Sequence, residues 1–157
     1  MKALSLWQPH AHAIALGLKP YETRDWATGY RGPLAIHAAK RQWTDADSWH
    51  DEARRRMCRA VPDGATVRMA YGAVVCVADL VDCVRTSELR GRIPPDEEFW
   101  GDFSDGEQGR GRYAFKLRNV RVLPEPFYTR GFQGFFEVEI DGVGAPAAGS
   151  LPLFGGE

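Results

Sequence analysis

Residues 72–81, GAVVCVADLV, carry one charge in ten residues and are apolar at both odd and even positions. Side chains alternate across a strand, so a strand apolar on both faces needs cover on both sides of its sheet. This stretch therefore marks a central strand. Its one carboxylate, Asp79, falls in line with Val75 and Val77, where an unpaired charge is costly. Lys19 or Arg24 is the expected partner.

Other strands follow from alternation. In ALSLW (3–7), Leu4 and Leu6 share a face, and in FFEVEI (135–140) Phe136, Val138 and Ile140 point inward. RYAFKLRNVRVL (112–123) sets Tyr113, Phe115 and Leu117 against a cationic stripe of Arg112, Lys116 and Arg118. Beyond Asn119 the apolar parity moves to Val120 and Val122, which predicts a bulge. YETRDW and GPLAIHAA read as two short strands joined by a turn.

Two helices interrupt them. From Pro9, the residues Ala11, Ile14, Ala15 and Leu18 recur at helical spacing, and Gly17 stands where a helix ends. A second helix is expected from Thr44, as N-cap, to Cys58, with Trp49, Ala53 and Met57 on its inner stripe. Residues 84–111 are polar, acidic and rich in Gly and Pro; they read as a long surface loop with one helical turn at PPDEEFW. The pattern predicts an α+β chain: a small β-barrel flanked by helices, residues 1–140, with a flexible tail over 141–157.

At 157 residues the chain has room for one real core. Its longest apolar runs are too short to span a bilayer, and MKALSLWQPH lacks a signal-peptide pattern, so no membrane partner is expected. Three cysteines without metal-ligand spacing suit reduced thiols in a cytoplasmic protein. The net charge of −1 hides a strong segregation: residues 1–44 balance at +4, 71–109 at −6 and 110–134 at +5. If the two cationic blocks meet, they make a patch for nucleic acid or phosphate, with Arg112, Lys116 and Arg118 facing the same cleft as Lys19 and Arg31.

The densest chemistry lies in GLKPYETRDW (17–26), where Lys19, Glu22 and Arg24 crowd together and strand alternation puts Glu22 and Arg24 on one face. Gln8 stands at the start of the preceding helix, where its amide can read a base edge. His10 and His12 point to different helix faces and make a poor metal pair, and His37 lies in a strand where a hydrogen bond can satisfy it. No metal and no cofactor are expected.

These residues also carry a resemblance. Gln8-Pro9, then Gly17, Lys19, Glu22 and Arg24, then Arg31-Gly32 and Ile36-His37-Ala38 resemble the spaced motifs of the ASCH domain family, and the later strands follow in the family's order over residues 1–140. The resemblance implies a barrel similar to the PUA fold whose cleft faces RNA or a nucleoside. Members of this family bind RNA, cleave it, or deacylate N4-acetylcytidine. The deacylating members resemble Lys-x-x-Thr; here Glu22 stands in the threonine position, Thr23 is adjacent on the other strand face, and Asp79 takes the place of the downstream acid.

Two readings stay open. In the first, a binding module holds RNA or a nucleoside with Trp7, Gln8, Lys19, Glu22, Arg24, Tyr30, Arg31, His37, Arg112 and Lys116, and Trp7, Trp26 and Tyr30 form aromatic walls. In the second, Lys19, Glu22 and Asp79 run a metal-independent hydrolase. Loss of Lys19 or Glu22 is expected to cost little stability, because cleft charges lie outside core packing. The tail's SLPLF resembles short peptides that dock on bacterial sliding clamps, through Leu151, Leu153 and Phe154, although Ser150 replaces their glutamine.

Overall fold

The computed structural model describes residues 1–44, 47–62 and 68–142. Six strands, β1 (Lys2–Leu6), β2 (Tyr21–Arg24), β3 (Gly32–Ala38), β4 (Ala73–Arg85), β5 (Tyr113–Tyr128) and β6 (Phe135–Glu137), form one sheet in the order β2-β5-β4-β3-β1-β6. β1 runs parallel to β3, and every other pairing is antiparallel. The helices are α1 (His10–Ala15), α2 (Ser48–Ala60), and two single turns, α3 (Thr86–Leu89) and α4 (Pro95–Glu98). Among the described residues no helix is long and apolar enough to cross a membrane.

β4 lies inside the sheet, and residues 73–78 are buried throughout, as their two-faced apolarity requires. One face packs Leu4, Leu34, Ile36, Phe115 and Leu117 against Ala11 and Ile14 of α1. The opposite face gathers Ala3, Ala35, Val74 and Val77 with Leu123 and Val138. α1 is itself covered on its far side: Ala13 meets Ala53 and Met57 of α2 together with Trp100.

The expected barrel does not close. Closure would need hydrogen bonds between the outer strands β2 and β6, which have only four and three residues. Aromatic packing fills that place instead: Trp26, just past β2, and Tyr30 set their rings edge-on to Phe135 of β6, at 5.0 and 5.8 Å.

Two local expectations change and a third is met. The N-cap of α2 is Asp47, whose carboxylate accepts from the His50 amide at 2.9 Å, rather than Thr44. Residues 84–111 are not merely a surface loop: β4 runs to Arg85, Trp100 is 1% exposed, and Phe103 meets Tyr21 edge-on. The bulge lies where the parity shift puts it. Asn119 adopts φ +50, and the register passes from Asp79 opposite Arg118 to Val77 opposite Arg121.

A buried polar tie links β1, β3 and the segment before β6. His37 Nε2 lies 3.1 Å from the Thr129 carbonyl, so it must carry the proton, and Nδ1 then accepts from the Ser5 hydroxyl at 2.7 Å. Gly131 packs closely on this tie; a Cβ there would stand 2.4 Å from both His37 Cε1 and Ser5 Oγ.

Candidate functional site

The site begins at the exit from α1. Gly17, at φ +75, donates to the Ile14 carbonyl, and Leu18 donates to that of Ala13, the paired bonds of a glycine-terminated helix end. That reversal sends Lys19 back toward the body of the molecule, where its side chain is 2% exposed and its ammonium donates to the Trp100 carbonyl. Two residues into the chain's next strand, Glu22 meets it: Lys19 Nζ lies 3.3 Å from Glu22 Oε2. Arg24 Nε lies 2.9 Å from Glu22 Oε1, and Arg24 also donates to the Ser5 carbonyl at 2.8 Å. Glu22 and Arg24 share a face of β2, as alternation requires.

This ion cluster floors a cleft of two joined compartments. The first, of about 450 Å³, is lined by His10, Lys19 and Glu22 with an aromatic wall of Trp49, Phe99 and Trp100. The second, of about 430 Å³, runs past Arg24 and Ser5 to Trp7; His10, Glu22, Thr23 and Arg112 line both. Arg112 donates to the Thr23 carbonyl at 3.3 Å and lies 3.3 Å from the Asp102 carboxylate.

The electrostatics follow from burial opposed by pairing. Burial holds the Lys19 ammonium below the ordinary lysine range, against the pull of Glu22. For Glu22, burial alone would raise the carboxyl, but Lys19 and Arg24 outweigh it and hold it below the usual range. Burial, reinforced by Lys19, lowers His10 from 6.5 to about 4, so its imidazole is neutral at physiological pH. Its buried Nδ1 has no hydrogen-bond partner among the described residues. Asp102 is held low as well: burial opposes ionisation, but Ser104 and Arg112 prevail.

Trp7, Lys19, Glu22, Arg24 and Arg112 thus meet in one cleft. Other predicted residues lie elsewhere. Gln8 is buried and its amide is spent, donating to the Ala70 carbonyl at 2.9 Å and accepting from the His12 amide at 3.0 Å. His37 is committed to the tie with Ser5 and Thr129. Tyr30 donates to the Pro33 carbonyl, and Trp26 packs in the core, so of the expected aromatic walls Trp7 alone reaches the cleft.

The expected meeting of the cationic blocks is also corrected. Of Arg112, Lys116 and Arg118 only Arg112, just before β5, reaches Lys19, because each two-residue step carries the next side chain about 6.6 Å farther along the strand. Lys116 stands in register with Asp82, Arg31 pairs with that carboxylate at 3.3 Å, and Arg118 is exposed. Asp79 does not join Lys19 or Arg24. The Asn119 bulge swings Arg121 to within 2.8 Å of Asp79, and Asn119 donates to it at 3.0 Å. Leu151, Leu153 and Phe154 lie outside the described residues.

Sequence reasoning missed His10, weighed only as a metal ligand, and the wall of Phe99, Trp100 and Asp102. Two adjacent aromatics within an acidic, polar stretch were the available signal, since large apolar side chains seldom stand together in water. Thr23, expected to point away from the cleft, lines both compartments while accepting from the Asp102 amide at 3.0 Å.

Comparison with known proteins places this geometry in context. The ASCH domain model matches residues 4–123. Activating signal cointegrator 1 of Homo sapiens and of Mus musculus are each 24% identical over 128 residues, 82% of this chain; the chain spans 20% of the length of either relative. Among solved structures, the ASCH protein from Zymomonas mobilis superposes with a TM-score of 0.58 at 18% identity, covering 88% of this chain and 87% of that one. A serine-to-alanine variant of the same protein gives 0.53 at 16% identity, covering 88% and 87%.

Proposed function

The chain belongs to the ASCH domain family, and on that premise we propose that its cleft binds a base of RNA or of a modified nucleoside. The observation that carries this reading is the convergence of Lys19, Glu22, Arg24, Arg112 and His10 on a cavity with an aromatic wall. A planar ring packs against the aromatic wall of Trp49, Phe99 and Trp100 without regard to sequence, and the neutral His10 imidazole and the Arg112 guanidinium offer directional contacts at its edge. Glu22, held ionised by two cations, accepts from an exocyclic amine.

A second reading rests on a different observation, the buried Lys19–Glu22 pair. Burial brings the ammonium closer to losing its proton while the adjacent carboxylate stays charged, which suits a metal-independent general acid–base hydrolase. Asp79 has no part in it, because its carboxylate is taken by Arg121 and Asn119.

The test is binding and turnover measured together, in EDTA, on labelled RNA and a panel of modified nucleosides, for the wild-type chain and Lys19→Met. Binding without turnover, lost in the variant, is the expected result. Turnover that vanishes with Lys19 would favour the hydrolase, and wild-type protein that neither binds nor turns over any probe would end both readings.

A further inference from the structure

The rim of the second compartment carries an arrangement that the cleft itself does not use. Trp7 is 60% exposed, and the Arg41 guanidinium lies 4.1 Å above its ring. A second such stack stands beside it: Arg54 lies 4.6 Å above Trp43. The two are joined through the chain, since Arg41 and Trp43 are two residues apart in the irregular segment after β3 and so at most about 7 Å apart along the backbone. Both ends adjoin the cleft. Trp7 lines the second compartment, while Trp43 meets the ring of His50 at 5.6 Å, and His50 lines the first.

We propose that these two tryptophan–arginine stacks form a ridge that holds the nucleotides flanking the base in the cleft, so that the ligand is a single-stranded nucleic acid and not a free nucleoside. The proposal rests on the reading of the cleft as a base-binding site. An indole face offers stacking to any base, and a guanidinium beside it offers a bidentate contact to phosphate. The arginines are available for that exchange: among the described residues Arg41 has no carboxylate partner, and Arg54 has only an exposed contact to Asp51 at 3.6 Å. As a flanking base arrives, the guanidinium slides off the indole face onto the adjoining phosphate, and the base takes its place. A duplex cannot use the ridge, because its bases are already stacked on one another and turned inward.

The experiment compares a short mixed-sequence RNA strand, the same DNA strand, the RNA duplex and the free nucleosides, on the full chain. Trp7→Ala should weaken the single strand roughly tenfold, RNA and DNA alike, and Arg41→Ala, at a residue that lines neither compartment, should weaken the strand while leaving nucleoside binding unchanged within error. Trp7→Phe should recover most of the Trp7→Ala loss, and Arg41→Ala should lower the slope of log affinity against log salt by about one. Because Trp43 is partly packed on the α1–α2 core, Arg54→Ala tests its half of the ridge without disturbing that packing. An unchanged single-strand affinity in Trp7→Ala, a duplex bound as tightly as the strand, or an acidic polypeptide that competes equally would overturn the ridge. If the wild-type chain binds strand and nucleoside but Trp7→Ala behaves identically, the ridge alone falls. If the wild type binds neither, the reading of the cleft falls with it.

Discussion

His10 and His37 are both largely withdrawn from water, and burial lowers the pKa of each, yet the two regions around them are built to opposite ends. Around His37 both ring nitrogens are bonded, to Ser5 and Thr129, and Gly131 closes the ring over. Around His10 the Nδ1 atom has no hydrogen-bond partner among the described residues, and the ring borders two adjoining cavities beside a buried ion cluster. Folded chains rarely leave buried polar groups unsatisfied without a reason. The contrast gives His37 to the fold and leaves His10 open to the cleft.

The sharpest way to break this comparison is at the cleft floor. Glu22→Gln leaves Lys19 and Arg24 facing each other without their shared anion, and should cost about 3–5 kcal/mol of unfolding free energy as well as ligand binding. Urea titration measures it. The expected loss runs against the reading that cleft charges cost little stability, because Lys19 and Glu22 are almost wholly buried. A loss below the level of a surface ion pair would show the cluster to be more hydrated than its burial implies.

Next in size is a pH effect carried by His10. Its folded value lies below its unfolded one, so the unfolded chain binds the proton first on acidification. The contribution to stability is therefore complete above pH 6.5 and is lost progressively as pH falls from 6.5 to about 4, on the order of 3 kcal/mol in all. His12 and His37, both lowered by burial, act in the same direction. His10→Phe should remove its share of the slope, and an NMR titration of His10 near the ordinary value of 6.5 would refute the assignment.

Gly131→Ala sharpens the other side. The added methyl collides with His37 and Ser5, and should cost about 1–3 kcal/mol while leaving nucleic-acid affinity untouched. Lost affinity in a folded Gly131→Ala protein would join the two regions into one site. The smallest effect is expected from Asp79→Asn. Its pair with Arg121 is partly solvated, so the loss should stay within about 1 kcal/mol, and binding should not change.

Much of the fold was legible because it rests on local periodicity. The two-faced apolarity of 72–81, the parity shift at Asn119 and the glycine after Leu16 each report a backbone constraint that neighbouring residues impose. The pairing of Lys19, Glu22 and Arg24 was legible for the same reason, since one helix end and one strand set all three. Partners across the sequence were not. Asp79 chose Arg121 over Lys19 because a single bulge changed which cation faced it.

By itself, then, the sequence determined a mixed α and β chain, its central strand and a charged cluster at the first helix exit, since these are settled within a few residues of one another. Only the tertiary structure decided that the sheet stays open, that the acidic segment after β4 folds back to wall the cleft with Phe99 and Trp100, and that His10 rather than Gln8 or His37 faces the cleft. Those outcomes depend on which distant groups satisfy each other first. A side chain whose hydrogen bonds are filled by the fold, like His37, is closed to a ligand, and no local pattern of residues records whether that has happened.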